Sequence, residues 1–442
     1  MTYRDATARL FSLEHWGIKL GLESITRFCR VLGDPQERYV SIHIAGTNGK
    51  GSTSAYMDSI LRAAGYRVGR YTSPHLRDFR ERIFINGQPI PRAWVTAFVK
   101  QYWRRIRKER TSFFEVTTAL AFAAFARAEV DVAVVEVGLG GRFDATNIVP
   151  SSLSIITRIA RDHEHVLGHT PGKIAFEKAG IIKPGVPVLT GPLFPEAAAK
   201  VRATAEQRRA PLWTATEILQ DPGAQWVLPL FSERWRVPLA GTHQCANLAL
   251  ALAGIALLRT QGIDARHGDV RTGVKNAHWP ARFQIAPGRP TVVYDAAHNP
   301  DGLRAVVETW ERIFGSRRPV CVFTTRTDKN YREMVSIMSP LAAHWLGCPL
   351  PGEPGVARPE MERLARRHGL AFTWADSPRQ AMQTARRLAG ARGFVLVVGS
   401  HYLVGAVIPP ALINDLKWGS GVVTRVSRAD LLAAASTFGP PF

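Results

Sequence analysis

Apolar residues follow two rhythms along the chain. From Leu20 to Val31 they recur at the three-to-four spacing of an amphipathic helix, and Gly33-Asp34-Pro35 stops it. Tyr39–Ala45 then reads as a strand rich in β-branched residues, running straight into Gly46-Thr47-Asn48-Gly49-Lys50-Gly51-Ser52. Thr53–Ala64 follows as a helix closed by Gly65, and Val68–Thr72 as the next strand. This β–loop–α–β order is the unit of a parallel sheet. The rhythm repeats with a helix at Thr117–Ala128 and a strand at Val130–Val137, apolar enough to be covered on both faces. Leu153–Ile159 and Val186–Thr190 read as further strands, and Lys173–Gly180 and Gln244–Leu258 as helices. A Pro- and Gly-punctuated stretch, Pro280 to Pro290, interrupts the pattern. Beyond it, strands at Val292–Ala296, Val320–Thr324, Phe372–Ala375 and Phe394–Val398 alternate with helices at Asp301–Ile313, Glu360–His368 and Pro378–Ala389. The expectation is an α/β protein of two units, 1–285 and 286–442. Its tail from Asn414 is Gly/Ser-punctuated, with one amphipathic stretch at Arg428–Ala435.

Composition narrows the class. The chain has 442 residues, 46% apolar and 21% charged, which is a globular balance that excludes disorder and disulfide miniproteins. Lys and Arg exceed Asp and Glu by 21, an excess that asks for an anionic partner. Cys29, Cys245, Cys321 and Cys348 lie far apart, with no CxxC pair, as buried thiols of a reducing cytosol do. The first residues lack the apolar core of a signal peptide, and no apolar run reaches the eighteen or so residues of a membrane span. The expectation is a soluble, cytoplasmic protein.

The chemistry concentrates in the glycine loop. Gly46, Gly49 and Gly51 let backbone N–H groups approach an anion, and the helix that follows adds its dipole. Lys50 supplies a point charge for phosphates, and Ser52 sits at the helix start. The loop departs from GxxxxGK[ST]: it is shorter, and Gly51 stands where a hydroxyl is expected. A bound nucleotide brings Mg²⁺, whose ligands belong at the C-terminal ends of neighbouring parallel strands. Ser73, Glu136 and His163 fit that placement. Glu136 ends an otherwise apolar strand, where a charge is costly unless paired or metal-bound. The run Asp162-His163-Glu164-His165, with His169, also suggests zinc, but it contains no HExxH and no Cys partner.

Five segments, HIAGTNGKGSTSAY, YTSPHL, EVGLGGRFDATN, DHEHVLGHTPGKIAFEKAGIIKPG and YDAAHNPDGL, follow one another in order. Together they resemble folylpolyglutamate synthase/dihydrofolate synthase, within the Mur ligases, from about Gly17 to Val404. The resemblance implies a central P-loop ATPase domain with a mostly parallel sheet and a smaller Rossmann-like C-terminal domain. It implies ATP-dependent addition of L-glutamate to a folate or dihydropteroate carboxylate, through an acyl phosphate, with two Mg²⁺ ions and no nucleic acid or membrane partner. A monomer fits the family.

Position by position, the resemblance assigns Thr47, Asn48, Gly49, Lys50, Gly51 and Ser52 to the phosphates, and Asn247, Arg282 and Asp295 to the rest of ATP. Ser73, Glu136 and His163 match metal ligands, and Lys178 matches a lysine carbamylated to hold the second ion. Lys50, Lys178, Arg282 and His298 would be catalytic, His298 as a base for the incoming amine. His298 and Ser400 match the glutamate side. Ser112, Phe113, Phe114, Glu115, Phe143, Asp144 and Ala145, with Lys19 and Leu20, would line the pteridine side, where aromatic faces can stack on a flat ring. Some dihydrofolate-forming members carry an acidic residue in place of Lys19, which tilts the expectation toward folate elongation. Two rival readings remain: a same-family ligase joining a different acid and amino acid, and a nucleic-acid-binding NTPase suggested by Arg104-Arg105-Ile106-Arg107-Lys108.

Overall fold

The computed structural model describes residues 1–14, 17, 21–220, 235–414 and 424–436. Its first unit is built on eight strands: β1 (Val40–Ala45), β2 (Val68–Tyr71), β3 (Ile83–Ile85), β4 (Gln88–Pro89), β5 (Val132–Glu136), β6 (Leu153–Ile156), β7 (Val188–Thr190) and β8 (Leu212–Thr214). Their order is β4-β3-β2-β5-β1-β6-β7-β8. From β2 to β8 all pairings are parallel, and β3 and β4 add an antiparallel edge. Every residue of β5 is buried, which is why Val132-Ala133-Val134-Val135 reads as an unbroken apolar run.

A short antiparallel ribbon pairs β9 (Trp235–Val237) with a strand from the tail. The second unit carries β10 (Gln284–Ala286), β11 (Thr291–Tyr294), β12 (Val320–Phe323), β13 (His344–Gly347), β14 (Phe372–Trp374) and β15 (Phe394–Val398), in the order β10-β11-β15-β12-β13-β14. Only β10 runs antiparallel. Both sheets point the C-terminal ends of β1 and β11 toward one shared cleft, the position at which open α/β sheets bind ligands.

The tail does not stay with the second unit. β16 (Thr424–Val426) pairs with β9, and the helix Arg428–Ser436 packs against the helices His243–Arg259 and Ala215–Gln220. Val426, Leu431 and Ala435 are buried in the same apolar cluster as Ile42, Met57 and Leu248 of the first unit. Amphipathicity alone says that a helix must be covered; it does not say by which unit.

Candidate active site

The glycine loop leaves β1 and enters the helix Lys50–Ala63 directly. Gly49 takes the N-cap position with φ of 94°, a left-handed conformation that favours glycine. Behind the loop, the Thr47 hydroxyl both donates to the Ala160 carbonyl and accepts from the Ala160 N–H, and Thr157 Oγ1 donates to the Asn48 carbonyl. The loop is therefore strapped to the chain that follows β6. Gly51 has a reason unrelated to phosphate: a Cβ there would lie 2.6 Å from the indole of Trp279. Gly51→Ala is expected to cost about 1–3 kcal/mol by overpacking, checked by thermal unfolding. An unchanged melting temperature would mean that the indole yields freely.

The cleft between the units has a volume of about 640 Å³, within the range of small-molecule sites. Loop residues 46–52 line it, and so do Ser73, Glu136, His163, Lys178, Asn247, Arg282, Asp295 and His298. The amine of Lys50 donates to the carbonyls of Gly46 and Thr47 at 3.0 and 3.1 Å and lies 3.9 Å from Glu136 Oε1. Lys178, fully enclosed, donates to the Gly46 carbonyl at 2.8 Å. Its burial, with Lys50 nearby, lowers its pKa to about 7, so a large fraction is neutral at neutral pH. Burial raises the Glu136 carboxyl above the ordinary carboxylate range, while Lys50, Arg282 and the Ser73 N–H pull it back.

Asp295 proves to be committed to the backbone. One oxygen accepts from the Phe283 N–H and the other from the Ala297 N–H, each at 2.7 Å. It thereby holds the turn on which Arg282 projects, between Ala281 and Phe283, both at positive φ. Asn247 donates to Gln244 Oε1 at 2.9 Å.

A second network crosses from one unit to the other. Lys329 donates to Asp162 Oδ1 at 2.6 Å and to His163 Nε2 at 3.1 Å. Asn299 donates to Asp162 Oδ2 and to Asn48 Oδ1, while Asn48 donates to Asp301, which also forms a bidentate pair with Arg158. Burial works to raise the Asp162 carboxyl, but His298 and Lys329 outweigh it and hold the group well below the usual range. His298 Nδ1 donates to the Ala296 carbonyl at 3.0 Å and Nε2 faces Asp162 at 3.5 Å, so both ring nitrogens are engaged. Burial also lowers the His163 pKa to about 3. Lys329 and Arg158 do not stand out in the sequence, and Asn299 and Asp301 lie within the YDAAHNPDGL segment without a role assigned to them. The closest signals are the DKN run at 328–330 and the NPD run at 299–301.

The remaining candidates lie away from this cleft's lining. Ser112 and Glu115 cap the helix Phe113–Arg127 reciprocally, each side chain accepting from the other's backbone N–H. Phe113 stacks on Phe11 at 5.4 Å and meets Phe79 edge-on, while Phe114 covers Gly138. Asp144 caps the short turn Ala145–Ile148, and Phe143 is exposed beneath the Arg142 guanidinium. Ser400 caps the helix His401–Val407. Lys19 and Leu20 lie outside the described residues.

The donor set suits one hard cation well. Glu136 Oε2 is buried without a hydrogen-bond partner, and Ser73 lines the same cleft, so a carboxylate and a hydroxyl are available beside phosphate oxygens. His163 is less ready, because Lys329 covers its Nε2. Among the described residues, no three His, Cys, Asp or Glu side chains cluster as a metal site.

Residues 44–255 match the Mur ligase middle domain, and residues 281–401 match the Mur ligase glutamate ligase domain. The chain is 34% identical over 428 residues to the dihydrofolate synthase/folylpolyglutamate synthase of Bacillus subtilis, covering 92% of this chain and 98% of that one. Escherichia coli FolC, solved in complex with DHPP and ADP, superposes with a TM-score of 0.78 at 32% identity, over 91% of this chain and 96% of that chain. Mycobacterium tuberculosis folylpolyglutamate synthase, solved with ADP and AMPPCP, gives 0.80 at 31% identity, over 93% and 99%. The two-unit α/β architecture, the loop at the end of β1 and these full-length likenesses together make the chain a member of the folylpolyglutamate synthase/dihydrofolate synthase family of Mur ligases.

Proposed function

We propose that the cleft joins L-glutamate to the carboxylate of a folate or a dihydropteroate at the expense of ATP, releasing ADP and phosphate. The observation that carries this reading is the convergence of the loop N–H groups, Lys50, Lys178, Arg282 and Glu136 on one cleft between two α/β units. The chain is an ADP-forming acid–amino-acid ligase, and its own residues divide the labour as follows.

Loop residues 47–52 cradle the phosphates, and Lys50 exchanges its two carbonyl partners for phosphate oxygens. Arg282, held in place by Asp295, neutralises charge on the γ-phosphoryl group as the substrate carboxylate attacks it in line. The amine of glutamate then attacks the resulting acyl phosphate, and phosphate leaves. Ser73 and Glu136 would hold Mg²⁺, and Lys178 as a carbamate with His163 a second ion; bound there, the metal withdraws charge from the transferring phosphoryl group. His298 serves better to orient Asp162 than to take a proton, since neither ring nitrogen is free. Asn247, beside the loop, is assigned to the base. The pteridine is assigned to the aromatic group around Phe11 and Phe113, with Ser112, Phe114, Glu115 and Phe143–Ala145 as its frame. Ser400, beside His401, is assigned to the glutamate side. Buried free cysteines suit a reducing, cytoplasmic setting, a monomer is assigned from the family resemblance, and among the described residues no helix is long and apolar enough to cross a membrane.

The test is ADP release with ATP and Mg²⁺, offering dihydropteroate or tetrahydrofolate with and without glutamate. The expected result is glutamate-dependent ADP release with a product heavier by one glutamyl unit. The acceptor that turns over distinguishes synthase from elongase. Folded, ATP-binding protein inert toward both acceptors would favour a ligase for another acid.

A further inference from the structure

The helix Arg428–Ser436 lies beyond residue 401, where the matched family domains end. Its residues divide between two tasks. Leu431 and Ala435 enter the core of the first unit and fix the helix there. Asp430, Ala433 and Ala434, at the i, i+3, i+4 spacing of a single helix face, line the nucleotide cleft. The same cleft is lined by Cys245 and Leu250 on the helix His243–Arg259 and by Arg312 on the helix Pro300–Phe314. Cys245 feels both the Asp430 carboxylate and the Arg312 guanidinium, which places these groups around the helix that also carries Asn247. The small side chains at 433 and 434 and the apolar Leu250 line one cleft together with the charged Asp430 and Arg312. Such a lining suits a flat heteroaromatic ring.

We infer that this C-terminal helix is the outer wall of the slot that receives the base of the nucleotide. The inference rests on the proposed use of the cleft by ATP, and adds to it a recognition element from outside the matched domains. The phosphates are held by the loop and owe nothing to this helix. The helix therefore governs affinity for a nucleotide, and not affinity for a phosphate chain without a base.

The experiment titrates full-length protein with ADP and, separately, with inorganic tripolyphosphate, comparing the wild type with Ala433→Trp and Leu431→Ser. Ala433 is exposed, so the indole fills the slot without entering the core. Leu431→Ser instead loosens the helix from its seat. Both variants are expected to weaken ADP binding at least about tenfold and to leave tripolyphosphate binding within twofold. Unchanged ADP affinity in a folded Ala433→Trp protein overturns the inference, and so does an equal loss of ADP and tripolyphosphate. A wild type that binds neither ligand overturns the nucleotide reading itself, a result separable from the other two.

Discussion

Lys50→Ala is expected to lower turnover by about 10²–10³-fold, the loss typical when a preorganised donor to developing charge is removed. In the structure its ammonium does no structural work that the fold depends on. It donates to two carbonyls of its own loop and lies near Glu136 at a distance too long for a hydrogen bond. Alanine is the best helix former for that position, the first of the helix Lys50–Ala63. Melting behaviour should therefore stay near wild type while ADP release collapses. Near-normal turnover in the variant would remove Lys50 from the mechanism.

Lys329→Ala should act on stability, and strongly. Its side chain is 5% exposed and that of its partner Asp162 is 8%, with 2.6 Å between them. Breaking a buried pair from one side leaves an uncompensated charge, a cost of about 3–5 kcal/mol. Asp162 would keep Asn299 and a more distant His298 as partners, so the loss should fall within that range rather than beyond it. Because Lys329 belongs to the second unit and Asp162 to the first, the damage should appear as weaker adhesion between them. Asp162→Asn in the same chain removes the stranded charge and should recover part of the loss. Thermal unfolding of the two single variants and the double variant closes the cycle; strictly additive losses would mean that the two groups are not coupled.

How far the sequence was legible depended on whether a signal was local. β5 and β15 are apolar runs with few alternatives, and β15 spans Phe394–Val398 as its pattern predicts. The glycine loop is contiguous, so its position at the end of β1 follows from a strand that runs into it. The helix Arg92–Glu109 went unread because Lys100, Arg104, Arg105, Arg107 and Lys108 interrupt its apolar stripe, of which only Val95, Phe98, Val99 and Ile106 are buried. The expected strand Leu153–Ile159 ends at Ile156, because Thr157 and Arg158 turn away to strap the loop. The crossing network was the least legible part. Asn48 and Asp301 are 253 positions apart, and no spacing rule connects them until two units have docked. Asp295 shows a related limit at short range: the resemblance assigns it to ATP, and nothing in the sequence announces the two backbone partners through which it also braces the turn of Arg282.

The return of the tail has a consequence for the order in which the protein is made. Val426, Leu431 and Ala435 complete a core whose other members lie between Ile42 and Ala277. A chain emerging from the ribosome N-terminus first can close its second sheet once Val398 is out. The core of the first unit, although synthesised earlier, waits for residues beyond 420. During that interval the apolar flanks of the helices His243–Arg259 and Ala215–Gln220 stay uncovered. The unit that starts first is the one that finishes last.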